Sequence, residues 1–263
     1  CPPQHGLSEE ADDPHSPAGI VADADREGID QTVLFPSLAL GVPGYQDAAF
    51  AVGFARLYNR FIGDYCKKGG GRLFGAAVVP LQDVDASVDV LHEAKEAGHV
   101  CAVLPPALRW KNLDHPDFDR LYAAAVDLDL PLGIHGAPGL HLPPIGVDRF
   151  TNYIQVHCIS FPFDQMTAMT ALISGGVFDR HPRLRVAFLE AGVTWVPYFL
   201  DRLHEHWQKR GDWIEDGWQR EQPDNWLRLA DPWEVARPSE KVTIPMNCAV
   251  EVRAGSLEPI IGQ

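Results

Sequence analysis

The feature that most constrains this chain is a repeated two-beat pattern: a short, nearly continuous apolar run, then a longer stretch with apolar residues at three- and four-residue spacing. The runs are Thr32 to Phe35, Leu73 to Val79, Val100 to Leu104, Leu130 to His135, Val186 to Leu189 and Val242 to Val250. Continuous runs, unlike alternating ones, ask for burial on both faces, which a parallel sheet covered by helices provides. The stretches between them read as helices. Ala18 to Glu27 ends at Gly28, and Phe50, Phe54, Leu57, Phe61 and Tyr65 make one stripe that stops at Gly69-Gly70-Gly71. Val84, Val88 and Leu91 precede a stop at Gly98, and Phe118, Leu121, Tyr122 and Leu128 follow Pro116. Gln165 to Ser174 and Val196 to Trp207 complete the set. The class is α/β, either a barrel or an open doubly wound sheet. No G-x-G-x-x-G follows the first run and no Gly-Lys-Ser/Thr phosphate loop occurs, so nucleotide-binding folds lose their usual support and the barrel is favoured.

Composition narrows the function classes. With 22 Lys plus Arg against 36 Asp plus Glu, the formal charge of the 263-residue chain is −14. That balance disfavours a phosphate backbone or an anionic membrane as partner. No run approaches the roughly 18 consecutive apolar residues of a spanning helix, and the acidic, Pro-rich start lacks a signal-peptide core. Residues 1–16 read as an N-terminal loop and 17–263 as a single domain. Five cysteines without a C-x-x-C pair suit reduced thiols and a cytoplasmic location.

In a parallel barrel the reactive groups project from the C-terminal ends of strands. His135 closes the run from Leu130, and Glu190 follows Val186 to Leu189. An ionisable group there is costly to desolvate unless a metal, a charge partner or a substrate compensates it. The plainer alternatives are a buried histidine bonded to a backbone carbonyl and a carboxylate capping the next helix. His157 sits in what reads as a loop leading into a helix, suited to contact a substrate or simply solvated. Arg109 and Trp110, just past the Val100 to Leu104 run, suit a carboxylate clamp with a stacking surface, or an ordinary loop arginine on an indole. His204 and His206 fall on different helix faces, and a catalytic thiol at Cys101 or Cys158 is unsupported.

Several segments resemble the amidohydrolase family related to aminocarboxymuconate semialdehyde decarboxylase. They are Asp25 to Asp30 with Val33-Leu34-Phe35-Pro36, His115-Pro116-Asp117-Phe118, and Leu130-Pro131-Leu132-Gly133-Ile134-His135. Gly175 to Val186 and Leu189-Glu190-Ala191-Gly192 with Trp195-Val196-Pro197 complete the likeness. The resemblance implies a metal-dependent (β/α)8 barrel that hydrolyses or decarboxylates a small carboxylated or cyclic substrate, with zinc as the divalent ion and manganese as the alternative. It places the fifth-strand metal ligand on His135 and puts Glu190 where the decarboxylases carry a catalytic histidine. Glu190 and His157 become the acid and base candidates, Arg109 and Trp110 the substrate-binding ones, and a homodimer the expected assembly.

Two of the family's motifs are not found. No His-x-His precedes the Thr32 run, and no Asp follows the last one. The six runs thus correspond to the family's second to seventh strands, and the first and eighth are expected to be missing. At roughly 30 residues per barrel unit, the shortfall is about 60 residues. Beginning at Cys1 rather than Met fits such a deficit. The alternative to an enzyme is therefore an incomplete barrel without catalysis, serving as a binding or oligomerising subunit. A metal-independent Schiff-base enzyme is disfavoured, because no lysine closes a run.

Overall fold

The computed structural model describes residues 13, 15–109, 111–136, 145–210, 228–229 and 250–253. Five strands form a parallel sheet in the order β1 (Thr32–Leu34), β2 (Leu73–Val78), β3 (Cys101–Leu104), β6 (Leu132–Ile134) and β7 (Val186–Phe188). Register is continuous across the middle of the sheet: Leu104 pairs with Ile134, and Ile134 with Phe188. Every expected run from Thr32 to Leu189 is thus a strand, and all five point the same way.

The sixth is different. Of the expected Val242 to Val250 strand only Val250 lies within the described residues, and it opens β9 (Val250–Arg253). β9 pairs with β7 antiparallel, and β8 (Arg228–Leu229) pairs antiparallel with β9. A parallel order throughout therefore fails at this edge. The spacing of apolar residues that identifies a buried strand carries no information about its direction.

Helices lie between the strands because each stripe has an apolar face to bury. They are α1 (Pro17–Glu27), α2 (Ala48–Lys67), α3 (Val84–Ala97) and α4 (Asp119–Asp127), then α5 (Tyr153–Ser174), α6 (Val177–Arg180) and α7 (Trp195–Arg210). Their starts are capped as the local sequence dictates. Ser16, Asp47, Asp83 and Asn152 each accept a backbone N–H of the first turn. Gly28 and Gly98 close α1 and α3 in the left-handed region that glycine enters without cost. α2 packs on β2, and α2, α3 and α4 pack side by side in chain order. Leu104, Leu132, Ile134 and Phe188 from the strands meet Leu91, Tyr122 and Met169 from the helices in one core.

Two elements escape the periodicity. A small hairpin, β4 (Ala107–Leu108) with β5 (Lys111–Asn112), follows β3. α5 is far longer than the expected Gln165 to Ser174, since it begins at Tyr153 and runs through Pro162. Proline removes one N–H from the helix ladder, and the helix is apolar nearly all round, so neither a clear stripe nor a clean start marks it.

Candidate active site at the strand ends

Parallel strands in register bring their C-terminal ends to one edge of the sheet. His135 directly follows β6, and its backbone N–H donates to Leu104 O at 3.0 Å, extending the ladder by one bond. Glu190 lies two residues past β7 and adopts φ +57°, a left-handed conformation that costs a side chain about 1 kcal/mol or more. That turn aims its carboxylate sideways. Glu190 Oε2 lies 3.4 Å from His135 Nε2.

The imidazole is 7% exposed. Its Nδ1 sits 2.5 Å from Gly136 O, which only accepts, so Nδ1 carries the proton it donates there. A neutral ring would then turn its Nε2 lone pair on a carboxylate, and a cation between the two is required. Either a proton on Nε2 or a metal ion meets that requirement. The hydrogen bond from His135, reinforced by the charges of His135 and His157, holds the Glu190 carboxyl below the usual carboxylate range against the opposing effect of burial.

α5 forms the wall beside this pair. His157 was expected in a loop; it lies inside α5, where its ring stacks on Phe161 with centroids 4.4 Å apart. Phe161 in turn meets the His135 ring edge-on at 6.0 Å. His135, Glu190 and His157 are thus brought to one place. One turn further along α5, Asp164 is 8% exposed, and burial pushes its carboxyl up to about 6. Its Oδ1 accepts from Ile145 N, and a methyl built on Gly136 would lie 3.5 Å from its Oδ2. Gln165 is fully buried and donates to the carbonyls of Ile134 and Leu189. Sequence reasoning missed Asp164 and Gln165 because they look polar and exposed in a stretch without amphipathic period. An acid and an amide side by side in a mostly apolar helix were the available signal.

Arg109 lies in the connection between β4 and β5, and Trp110 lies outside the described residues. Beside His135, Ala39, Pro43, Val78, Leu104 and Pro105 line a small cleft of about 10 Å³, room for about one water molecule. The plain reading offered for His135, a buried ring on backbone carbonyls, is realised in full by His99. His99 Nδ1 and Nε2 face Gly75 O and Asn59 O at 3.1 and 2.9 Å. Burial pushes the thiols of Cys66 and Cys101 up to about 11 and about 12, away from nucleophilic use.

His135 and Glu190 are suitable donors for a divalent ion, one imidazole and one carboxylate. A zinc site takes at least three protein ligands, however, and among the described residues no group of three His, Cys, Asp or Glu is arranged to hold a metal. The described residues alone therefore do not make a metal centre. Among them, too, no helix is long and apolar enough to cross a membrane.

Known proteins resemble this chain in sequence and in fold. The chain is 27% identical over 200 residues to a gamma-resorcylate decarboxylase of a Rhizobium species, covering 73% of this chain and 58% of that one. It is 25% identical over 163 residues to 2-amino-3-carboxymuconate-6-semialdehyde decarboxylase of Dictyostelium discoideum, covering 62% and 44%. Among solved structures, 5-carboxyvanillate decarboxylase of Novosphingobium aromaticivorans, complexed with manganese and 4-hydroxy-3-methoxy-5-nitrobenzoic acid, superposes with a TM-score of 0.61. The identity is 26%, over 78% of this chain and 56% of that one. The chain thus spans about half the length of these relatives. A separate, local likeness, 52% identical over 34 residues, links 13% of this chain to 4% of a Synechocystis glycogen phosphorylase. The family model described as amidohydrolase matches residues 3–242, most of the chain, and the protein belongs to that amidohydrolase family.

Proposed function

We propose that the chain carries the strand-end machinery of a carbon–carbon lyase that releases carbon dioxide from a small carboxylated aromatic or unsaturated acid. The observation that carries this reading is the His135–Glu190 pair, a buried imidazole and a carboxylate 3.4 Å apart at the ends of adjacent parallel strands. The relatives, decarboxylases of such acids by name, support decarboxylation over hydrolysis.

When the carbon–carbon bond of the substrate carboxylate breaks, its electron pair stays on the substrate carbon, and a proton must take the place of carbon dioxide. His135, protonated on Nε2 and charge-balanced by Glu190, supplies that proton. Glu190 then stabilises the imidazolium when it re-forms. His157, stacked on Phe161, adds a second titratable group beside Glu190. Arg109, with Trp110, suits the carboxylate of the substrate. A zinc or manganese ion held by His135, Glu190 and further ligands would take the place of the Nε2 proton and polarise the substrate, and His157 would then be the group left to supply the proton.

A second reading is a binding or oligomerising unit without catalysis, among whose described residues no three donors are arranged to hold a metal, with a homodimer as the proposed form. One experiment separates the two. Carbon dioxide release is measured from a panel of dihydroxybenzoates and related acids, with zinc, with manganese and after chelation, alongside the mass in solution. Turnover by the parent that is lost in Glu190→Gln supports the lyase. No release from any acid under any metal condition overturns it.

A further inference from the structure

The wall of the site holds a fully buried side chain that belongs to neither member of the His135–Glu190 pair yet bonds the carbonyl that directly precedes each of them. Gln165 Nε2 donates to two carbonyl oxygens at once, Ile134 O at 2.9 Å and Leu189 O at 3.0 Å. Both partners are acceptors, so the amide must present its nitrogen to them; turned over, its oxygen would face two carbonyl oxygens. The same orientation leaves Gln165 Oε1 buried without a partner among the described residues. A side chain placed only to fill space would not carry that cost.

The two carbonyls are specific ones. Leu189 N donates to Ile134 O at 3.0 Å as the β6–β7 ladder runs out, and Leu189 O is the first carbonyl beyond it. Gln165 takes over where the ladder ends. The Ile134 carbonyl shares a peptide plane with the nitrogen of His135, and the Leu189 carbonyl shares one with the nitrogen of Glu190. Fixing the second plane also bears on the φ of +57° at Glu190, since that torsion turns the residue against the plane Gln165 holds.

We propose that Gln165 is the positioning residue of this site: one side-chain amide anchors the peptide planes that carry His135 and Glu190 and so sets the separation between imidazole and carboxylate. This deepens the lyase reading and rests on it for its catalytic consequence, but the geometric claim stands apart.

Two variants test it. Gln165→Met keeps length and bulk and deletes both donors; Gln165→Glu keeps the shape and donates to at most one carbonyl, as the acid. With an acid turned over by the parent, Gln165→Met is expected to lose about 10- to 100-fold in kcat with KM changed less than about threefold, and Gln165→Glu to lose less. Independently of activity, NMR of isotopically labelled histidine is expected to show the His135 ring resonances displaced in both variants. Those of His99, held on its own carbonyls elsewhere, are expected to stay in place. Parental kcat with unmoved His135 resonances overturns the proposal. So does displacement of His99 together with His135, the sign of general damage. If Gln165→Met does not fold, Gln165→Glu decides on the same readouts. If no acid is turned over, the lyase reading fails, while the comparison of His135 with His99 still decides the role of Gln165.

Discussion

His135 Nε2 and Glu190 Oε2 face each other across 3.4 Å because β6 and β7 are parallel neighbours in register and because Glu190 turns back through a positive φ. A right-handed or extended residue at position 190 would send its side chain elsewhere. The conformational cost at Glu190 is therefore part of how the pair is made, and it leads to the first prediction.

Glycine accepts φ +57° freely, whereas alanine pays for it. Glu190→Ala is expected to be less stable than Glu190→Gly by about 1 kcal/mol, although both lose the same carboxylate. Urea unfolding of the two variants measures the difference directly. Equal stability would mean that the backbone at 190 relaxes when the carboxylate is gone.

Asp164 sets a pH dependence of the opposite sense to that of a paired carboxylate. Burial lifts its folded pKa from 3.8 to about 6, so between these values the folded state binds more protons than the unfolded chain. Its contribution is most favourable below about pH 4, falls as pH rises to about 6, and stays at its least favourable level above that. Asp164→Asn keeps an acceptor for Ile145 N and removes the charge. It is expected to raise stability at pH 7 by up to roughly 3 kcal/mol and to leave it nearly unchanged at pH 4. Unfolding curves at the two pH values check the sign.

Asn59 on α2 does for β2 what Gln165 does for β6 and β7. Its Nδ2 donates to Val78 O at 3.0 Å and its Oδ1 accepts from Val78 N at 2.8 Å, all within the core. Asn59→Leu leaves a buried N–H and a buried C=O without partners. The expected loss is about 2–4 kcal/mol, measured by denaturant unfolding.

Arg109, in the turn of the β4–β5 hairpin, is proposed to hold the carboxylate of the substrate rather than to act in the bond-breaking step. Arg109→Ala is accordingly expected to raise KM by about tenfold with kcat changed by less than threefold, and Arg109→Lys to recover only part of the loss. Steady-state kinetics on an acid turned over by the parent decides it; an equal fall in kcat and kcat/KM would place Arg109 in the chemical step instead.

Much of this architecture was legible in the chain itself. Apolar runs such as Val186 to Phe188 are hydrophobic on both faces, so burial under helices follows from composition alone, and His135 and Glu190 stand out as ionisable groups at their ends. Caps at Asp47 and Asp83 and stops at Gly28 and Gly98 are local chemistry, readable without neighbours. The helix around His157 was not, because a helix with apolar residues on every side has no amphipathic stripe and Pro162 reads as a break. Nor was the antiparallel edge at β9, since direction is decided by the partner strand. Above all, the roles of Asp164 and Gln165 were decided by tertiary packing. An acid or an amide on a helix is polar in any sequence, and only the approach of α5 to the ends of β6 and β7 removes its water and supplies the carbonyls that give it work.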